Sequence, residues 1–191
     1  KIQNIADLNG ALYAINVGAG ATLNVESGYI YVENQSQYAY GTSTYTDGTP
    51  NISNMQARGI HMAATSKVNV SGGKIHAVAS CNAFGIREES SKANNTVLII
   101  TGGEIIGEAP RYAYGIYAGG KVNISGGTVT ALLNDKTDNG NTTYTANAWN
   151  DYTLHRYGYG IQMFASSNAT AANCYFGTLT ITGGTINAIN V

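Results

Sequence analysis

The stretch Val68-Asn-Val-Ser-Gly-Gly-Lys-Ile75 recurs in four further variants along the chain. In every copy apolar residues recur at alternate positions, glycine interrupts this pattern, and the pattern then resumes. This pattern predicts two short strands joined by a tight bend, because glycine tolerates the positive φ or the close backbone approach that such a bend requires. The other copies are Leu23-Asn-Val-Glu-Ser-Gly-Tyr-Ile30, Leu98-Ile-Ile-Thr-Gly-Gly-Glu-Ile105, Val122-Asn-Ile-Ser-Gly-Gly-Thr-Val129 and Leu179-Thr-Ile-Thr-Gly-Gly-Thr-Ile186.

A second, shorter phrase precedes each copy and predicts a third strand in the repeating unit. It reads Ala14-Ile15, Gly59-Ile60, Gly85-Ile86, Gly115-Ile116 and Gly160-Ile161. The copies are unequally spaced, because insertions of different length separate them. A constant apolar skeleton with variable insertions is typical of a solenoid, in which each coil contacts only its neighbours and insertions project outward.

The repeat therefore predicts an all-β fold, a right-handed single-stranded parallel β-helix of about five coils. An antiparallel β-sandwich is the alternative, but it gives no reason for one phrase to occur five times. Alternation predicts three inward ladders of stacked apolar side chains. The first ladder is Val25, Val70, Ile100, Ile124 and Ile181; the second is Ile30, Ile75, Ile105, Val129 and Ile186; the third is Ile15, Ile60, Ile86, Ile116 and Ile161. Asn24, Asn69 and Asn123 are predicted to face outward and to bond between coils.

The phrase Val-x-Val-Ser-Gly-Gly-x-Ile resembles right-handed parallel β-helices of the pectate-lyase-like superfamily, in particular its repetitive bacterial surface and adhesin-like proteins. The resemblance covers nearly the whole chain from about Ala11. It implies the β-helix fold and an extracellular or cell-surface location in bacteria. We expect residues 1–191 to form a single β-helix domain, as a segment of a longer repetitive protein whose ends stack on further coils.

Composition narrows the classes of function. Charged residues are 11% of the 191 residues and the net charge is -1, so there is no electrostatic reason to expect nucleic acid as a partner. No apolar run is long enough for a membrane span, and membrane insertion is not expected. The two cysteines, Cys81 and Cys174, fall on different corners of the predicted solenoid, which argues against a disulfide between them.

Two long insertions, between Gly28 and Ile60 and between Gly127 and Ile161, leave the predicted solenoid at the same corner. They flank two short returns, and we expect a groove between them with a gap of roughly 10–15 Å, from the coil spacing. Aromatic rings with nearby amides and carboxylates are suited to sugars. The candidate ligand-binding residues are Trp149, Tyr152, Tyr157, Tyr38, Tyr40, Tyr45, Asp135, Asp138, Asp151, Arg87 and His61. The alternative is that these aromatics fold the loops back as a lid.

Arg87 and His61 belong to a predicted outward column on the Gly-Ile strands, and this column lies beside the loop corner. Its members are Asn16, His61, Arg87, Tyr117 and Gln162. Glu88 falls where alternation predicts an apolar residue, and we expect it to pair with Arg58 or Arg111 at a coil edge. Two interpretations of His61 and Arg87 stay open: a binding site for acidic sugars, or ion pairing at the surface.

The expected function is a non-catalytic extracellular module for adhesion, glycan binding or surface scaffolding, with a glycan or a host or cell-surface polymer as partner. The alternative is a polysaccharide lyase or glycoside hydrolase of the β-helix type. Enzymes that resemble this fold need a base beside a calcium cage or clustered carboxylates, and neither pattern is evident, so no catalytic residue is predicted. No cofactor or metal is expected, apart from a weak calcium candidate near Asp135 and Asp138.

Overall fold

The computed structural model describes residues 1–8, 10–35, 55–89, 95–134, 157–164 and 177–191. Within these ranges the chain forms sixteen strands and no helix, and thus no helix long and apolar enough to cross a bilayer. The strands are β1 (Ile2–Ala6), β2 (Ala11–Val17), β3 (Thr22–Val25), β4 (Tyr29–Asn34), β5 (Gln56–Met62), β6 (Lys67–Val70), β7 (Lys74–Ala79), β8 (Asn82–Glu88), β9 (Val97–Ile100), β10 (Glu104–Ala109), β11 (Tyr112–Ala118), β12 (Lys121–Ile124), β13 (Thr128–Leu133), β14 (Tyr157–Met163), β15 (Thr178–Ile181) and β16 (Thr185–Asn190).

The strands form three parallel sheets, and each successive strand of the chain enters the next sheet. Sheet I contains β2, β5, β8, β11 and β14; sheet II contains β3, β6, β9, β12 and β15; sheet III contains β1, β4, β7, β10, β13 and β16. Three consecutive strands from β2 onward therefore make one coil, and there are five such coils, with β1 preceding the first. The predicted parallel β-helix of about five coils is confirmed. Right-handed winding is the sense expected for it, because nearly all connections between parallel strands of one sheet are right-handed.

Strand register confirms the three predicted ladders. Ile60 pairs with Ile86 in sheet I, Val70 with Ile100 in sheet II, and Ile75 with Ile105 in sheet III. The ladder members of the three middle coils are almost fully buried, and they form one continuous core cluster. In the last coil Ile181 and Ile186 are 48% and 37% exposed, because no further strand of the described residues covers them.

The two positions of the Gly-Gly bend require glycine for different physical reasons. The second glycine has positive φ in every coil, for example 76° at Gly73 and 82° at Gly103, a conformation that glycine adopts without a steric cost. The first glycine gives space to the coil beneath it: a Cβ at Gly102 would lie 2.4 Å from the Ser71 carbonyl oxygen. The first coil has Ser27 at this position, where no coil lies beneath.

The connections between sheet III and sheet I differ sharply in length. Two residues join β7 to β8 and β10 to β11, whereas residues 35–55 separate β4 from β5 and residues 134–156 separate β13 from β14. The prediction that both long insertions leave at one corner is confirmed. Both return to sheet I at its first residues, next to Gln56 and Tyr157.

Candidate ligand-binding face

Three of the predicted site residues lie in the described part of the chain, and all three are on sheet I. His61 and Arg87 are register partners on β5 and β8, while Tyr157 begins β14 and is 40% exposed. The predicted outward column through His61 and Arg87 is confirmed by the register. The other candidates lie outside the described residues, namely Tyr38, Tyr40, Tyr45, Asp135, Asp138, Trp149, Asp151 and Tyr152.

Aromatic rings on the outer face of sheet I stack from coil to coil. Phe84 and Tyr114 have ring centroids 4.7 Å apart and an interplanar angle of 3°, and Tyr114 and Tyr159 follow at 5.6 Å and 11°. A parallel column runs from Tyr112 to Tyr157, at 5.7 Å and 5°. Parallel strands in register put equal positions one coil spacing apart, so identical rotamers give stacked rings. We call these five residues the aromatic ladder.

The aromatic ladder continues sideways into the outward column of Arg87. Tyr117 meets Phe84 and Tyr114 edge to face, with centroids 5.7 and 5.6 Å away. Tyr117 also stacks on Phe164 at 4.6 Å. Ring contacts are therefore continuous on the outer face of sheet I across the third to fifth coils, with Phe84 buried at one end and Tyr157 and Tyr159 exposed at the other.

Arg58 and Arg87 lie on the first-coil side of this surface and share one acceptor. Arg58 Nε and Nη2 donate to Gln56 Oε1 at 3.1 and 2.7 Å, and Arg87 Nη1 donates to the same oxygen. The Arg87 guanidinium lies 4.5 Å from the Phe84 ring centroid and 5.4 Å from that of Tyr117. Arg58 lies 5.0 Å from the Tyr13 ring. We call Arg58, Arg87 and Gln56 the arginine cluster.

His61 completes this region as a neutral side chain. Arg58 Nη1 lies 3.1 Å from His61 Nδ1, and since the guanidinium can only donate, Nδ1 is the acceptor. Burial, followed by the charges of Arg58 and Arg87, lowers the pKa of His61 to about 4. The imidazole therefore adds no third positive charge near neutral pH.

Neither arginine of the cluster forms an ion pair with any described residue. The ion pairs among these residues are Lys74–Glu104 and His76–Glu108, both on sheet III. Glu89 acts on Arg58 and His61 through its field alone. Burial lowers the pKa of Arg58 to about 10 and also lowers the pKa of Arg87. This part of sheet I is therefore positively charged and incompletely paired.

The expected pairing of Glu88 with Arg58 or Arg111 is wrong. Glu88 is 0% exposed, and its Oε2 accepts hydrogen bonds of 2.8 Å from the backbone N–H groups of Gly119 and Gly120. Thr96 supplies a further side-chain hydrogen bond, but burial dominates and raises the pKa of Glu88. Alternation correctly predicts that the side chain points inward. There it binds the turn of the next coil at Gly119 and Gly120.

Sequence analysis missed the aromatic ladder, because the glycine before each inward isoleucine interrupts simple alternation. Register pairs Phe84 with Tyr114 and Ile86 with Ile116 but skips the glycine between them. The outward residue therefore lies two positions before the isoleucine. A detectable signal is present: Arg58, Phe84, Tyr114 and Tyr159 all directly precede the Gly-Ile phrase.

Sheet III carries a different arrangement, a chain of hydroxyl, imidazole and carboxylate. Tyr29 Oη lies 3.3 Å from His76 Nδ1, and His76 Nε2 lies 2.9 Å from Glu108 Oε2. Asn134 Nδ2 donates to the other oxygen of Glu108 at 2.8 Å. Burial raises the pKa of Tyr29, which keeps its hydroxyl protonated.

No group of three His, Cys, Asp or Glu side chains that could hold a metal ion occurs within the described ranges. Asp135 and Asp138, the weak calcium candidate, are outside those ranges. Comparison with known proteins found no matching family model, no matching curated protein and no matching solved structure.

Proposed function

We propose that this chain is a non-catalytic extracellular β-helix module that binds glycans on the outer face of sheet I. The observation that carries the proposal is the aromatic ladder, with Phe84, Tyr114 and Tyr159 stacked at 4.7 and 5.6 Å along the solenoid axis. Because the rings cover one another's faces, the ladder offers a row of apolar ring edges along the coils and, at its end, the exposed rings of Tyr157 and Tyr159. The apolar C–H faces of sugar rings are complementary to such a surface.

The surroundings of the ladder support the same ligand class. Tyr157 and Tyr159 remain 40% and 38% exposed, and their hydroxyl groups add hydrogen-bonding capacity beside the rings. Gln162, the register partner of Tyr117, adds a half-buried amide at one side of the columns. A few polar groups converging on an aromatic surface give both orientation and affinity. The candidate residues on the two long insertions lie outside the described residues and belong to this proposal as predictions.

The proposal places the chain among the bacterial surface or adhesin-like proteins of the pectate-lyase-like superfamily. Support comes from the Gly-Gly repeat and from the low content of charged residues, 11%. A scaffold role accompanies binding, since the solenoid presents its ligand face at a fixed spacing and leaves apolar strand edges for further coils at its ends.

Glycan-array screening of the intact chain tests this function, followed by the Tyr114→Ala variant. Loss of the Tyr114 ring removes the centre of the ladder, and we expect affinity to fall about tenfold, on the scale of an aromatic contact. Tyr31→Ala is the matched control, because Tyr31 is a half-buried tyrosine on the outer face of sheet III and outside the aromatic ladder. Absence of binding to any glycan, or equal losses in both variants, would contradict the proposal.

A polysaccharide lyase or hydrolase is the second candidate, and the Tyr29–His76–Glu108 chain is the observation that favours it. An imidazole between a hydroxyl and a carboxylate is a common acid–base arrangement. Product release from a bound glycan, measured as new reducing ends or unsaturated sugars and abolished by His76→Gln, would select this candidate over simple binding.

A further inference from the structure

We infer that the arginine cluster is a subsite for an oxyanion carried by the glycan, a carboxylate or a sulfate ester, so that the ligand is an acidic glycan. The inference rests on the proposed function, because the aromatic ladder must hold the sugar chain. It adds the charge class of the ligand and the residues that select it.

The two arginines differ in how far their donors are used. A guanidinium has five N–H donors. Arg58 directs its donors to Gln56, Tyr13 and His61, with distances from 2.7 to 3.3 Å. Among the described residues, Arg87 has one side-chain hydrogen bond, from Nη1 to Gln56, and its buried Nε has no acceptor there. Because Nε is covered, the donors that Arg87 can present to a ligand are those of its terminal nitrogens, Nη2 above all, for which no acceptor occurs among the described residues.

A buried, unsatisfied guanidinium is costly, and the cost falls when an oxyanion binds. Arg58 and Arg87 are neighbouring cations that share one acceptor, the amide oxygen of Gln56, so their positive charges repel each other. A carboxylate or sulfate that accepts two parallel N–H bonds from Arg87 neutralises one charge and occupies the free edge of the fork. Lysine would not present this planar pair of donors.

The position of Arg87 connects the subsite to the aromatic ladder. Its guanidinium lies over the Phe84 ring, whose other neighbour is Tyr114 at 4.7 Å. A sugar chain that follows the ladder from the exposed Tyr159 along the ring edges of Tyr114 therefore reaches Arg87. This continuity favours an acidic glycan over an acidic peptide, because a peptide would not require a row of flat rings along the coil axis.

A glycan array of matched pairs tests the inference with the intact chain. Each acidic glycan is printed beside its carboxyl-reduced or desulfated counterpart, so that only the charge differs and the two anion sources are separated. The wild-type chain is compared with Arg87→Gln, with Arg87→Lys, and with Lys121→Gln as the control, since Lys121 is an exposed cation on sheet II. Thermal unfolding of each variant verifies that it is folded.

We expect the wild-type chain to prefer the acidic member of a pair, and Arg87→Gln to weaken that member alone by about tenfold or more, as for a lost charge-assisted hydrogen bond. Arg87→Lys should retain part of the preference, and Lys121→Gln nearly all of it. Equal binding of charged and neutral members, with Tyr114→Ala still harmful, would overturn the inference and leave glycan binding intact. No binding to any glycan would contradict both proposals.

Discussion

The outer faces of sheet I and sheet III both carry cationic side chains, but the two faces treat those charges differently. On sheet III each cationic or potentially cationic partner meets a carboxylate, with Lys74 3.0 Å from Glu104 and His76 2.9 Å from Glu108. On sheet I, Arg58 and Arg87 meet an amide oxygen and aromatic rings. A paired face is complete by itself, whereas a face whose arginines have no carboxylate partner among the described residues has capacity left for a ligand.

The comparison depends first on Glu88, the carboxylate that follows Arg87 in the chain and points away from it. Replacing it with alanine leaves the N–H groups of Gly119 and Gly120 buried without an acceptor, and we expect a loss of about 2–5 kcal/mol in the free energy of unfolding. Glu88→Gln keeps an oxygen acceptor and removes the buried charge, so its stability at pH 7 should equal or exceed that of the wild type. Urea denaturation measures both.

The pH dependence of stability, compared between the wild type and Glu88→Gln, tests the direction of the pKa shift of Glu88. Burial raises the pKa of Glu88 in the folded state, so folding favours the protonated form. Stability from this group therefore increases as pH falls through the folded-state pKa, and it is lost as pH rises through that value. Glu88→Gln should lack this component. An alanine variant as stable as the wild type would show that Glu88 does not hold the turn.

Glu88 also illustrates what sequence could and could not predict. Alternation predicted its inward position and all three apolar ladders, because burial in a coil depends on residue spacing within one strand. Its partners, Gly119 and Gly120, belong to the next coil, more than thirty residues along the chain. Likewise, the stacking of Phe84 on Tyr114 depends on register across the interrupted strand, which spacing alone did not determine.

His61 provides the next test, because its protonation at acidic pH adds a positive charge beside the two arginines of sheet I. The unfolded side chain binds a proton near pH 6.5, whereas burial and the two arginines lower the folded pKa to about 4. Stability from this group is full above pH 6.5 and falls as pH decreases from 6.5 to 4. We expect Glu88→Gln/His61→Gln to lose less stability over this range than Glu88→Gln alone. Thermal unfolding at several pH values measures the difference, and parallel pH profiles would contradict it.

A carboxylate placed in sheet I should make it behave like sheet III. His61→Glu puts an acid beside Arg58 and Arg87, and we expect about 1 kcal/mol of added stability, as for a half-exposed ion pair. The same change should abolish the preference for acidic glycans, because the new carboxylate occupies the arginine donors. His61→Gln is the uncharged control. If His61→Glu still selects the acidic member of each glycan pair, the arginine cluster is not the selecting element.

The smallest effect is expected from the ion pair that sheet III already has. Lys74 and Glu104 are 39% and 43% exposed, so water screens their attraction, and ordering two flexible side chains opposes it. Lys74→Gln should therefore lower the free energy of unfolding by less than about 0.5 kcal/mol and leave glycan binding unchanged. Glu104→Gln should give a similarly small change, because each removes the same pair. A larger loss, or an altered preference for acidic glycans in Lys74→Gln, would mean that the cations of sheet III also contribute to binding, and the difference between the two faces would then not be one of pairing.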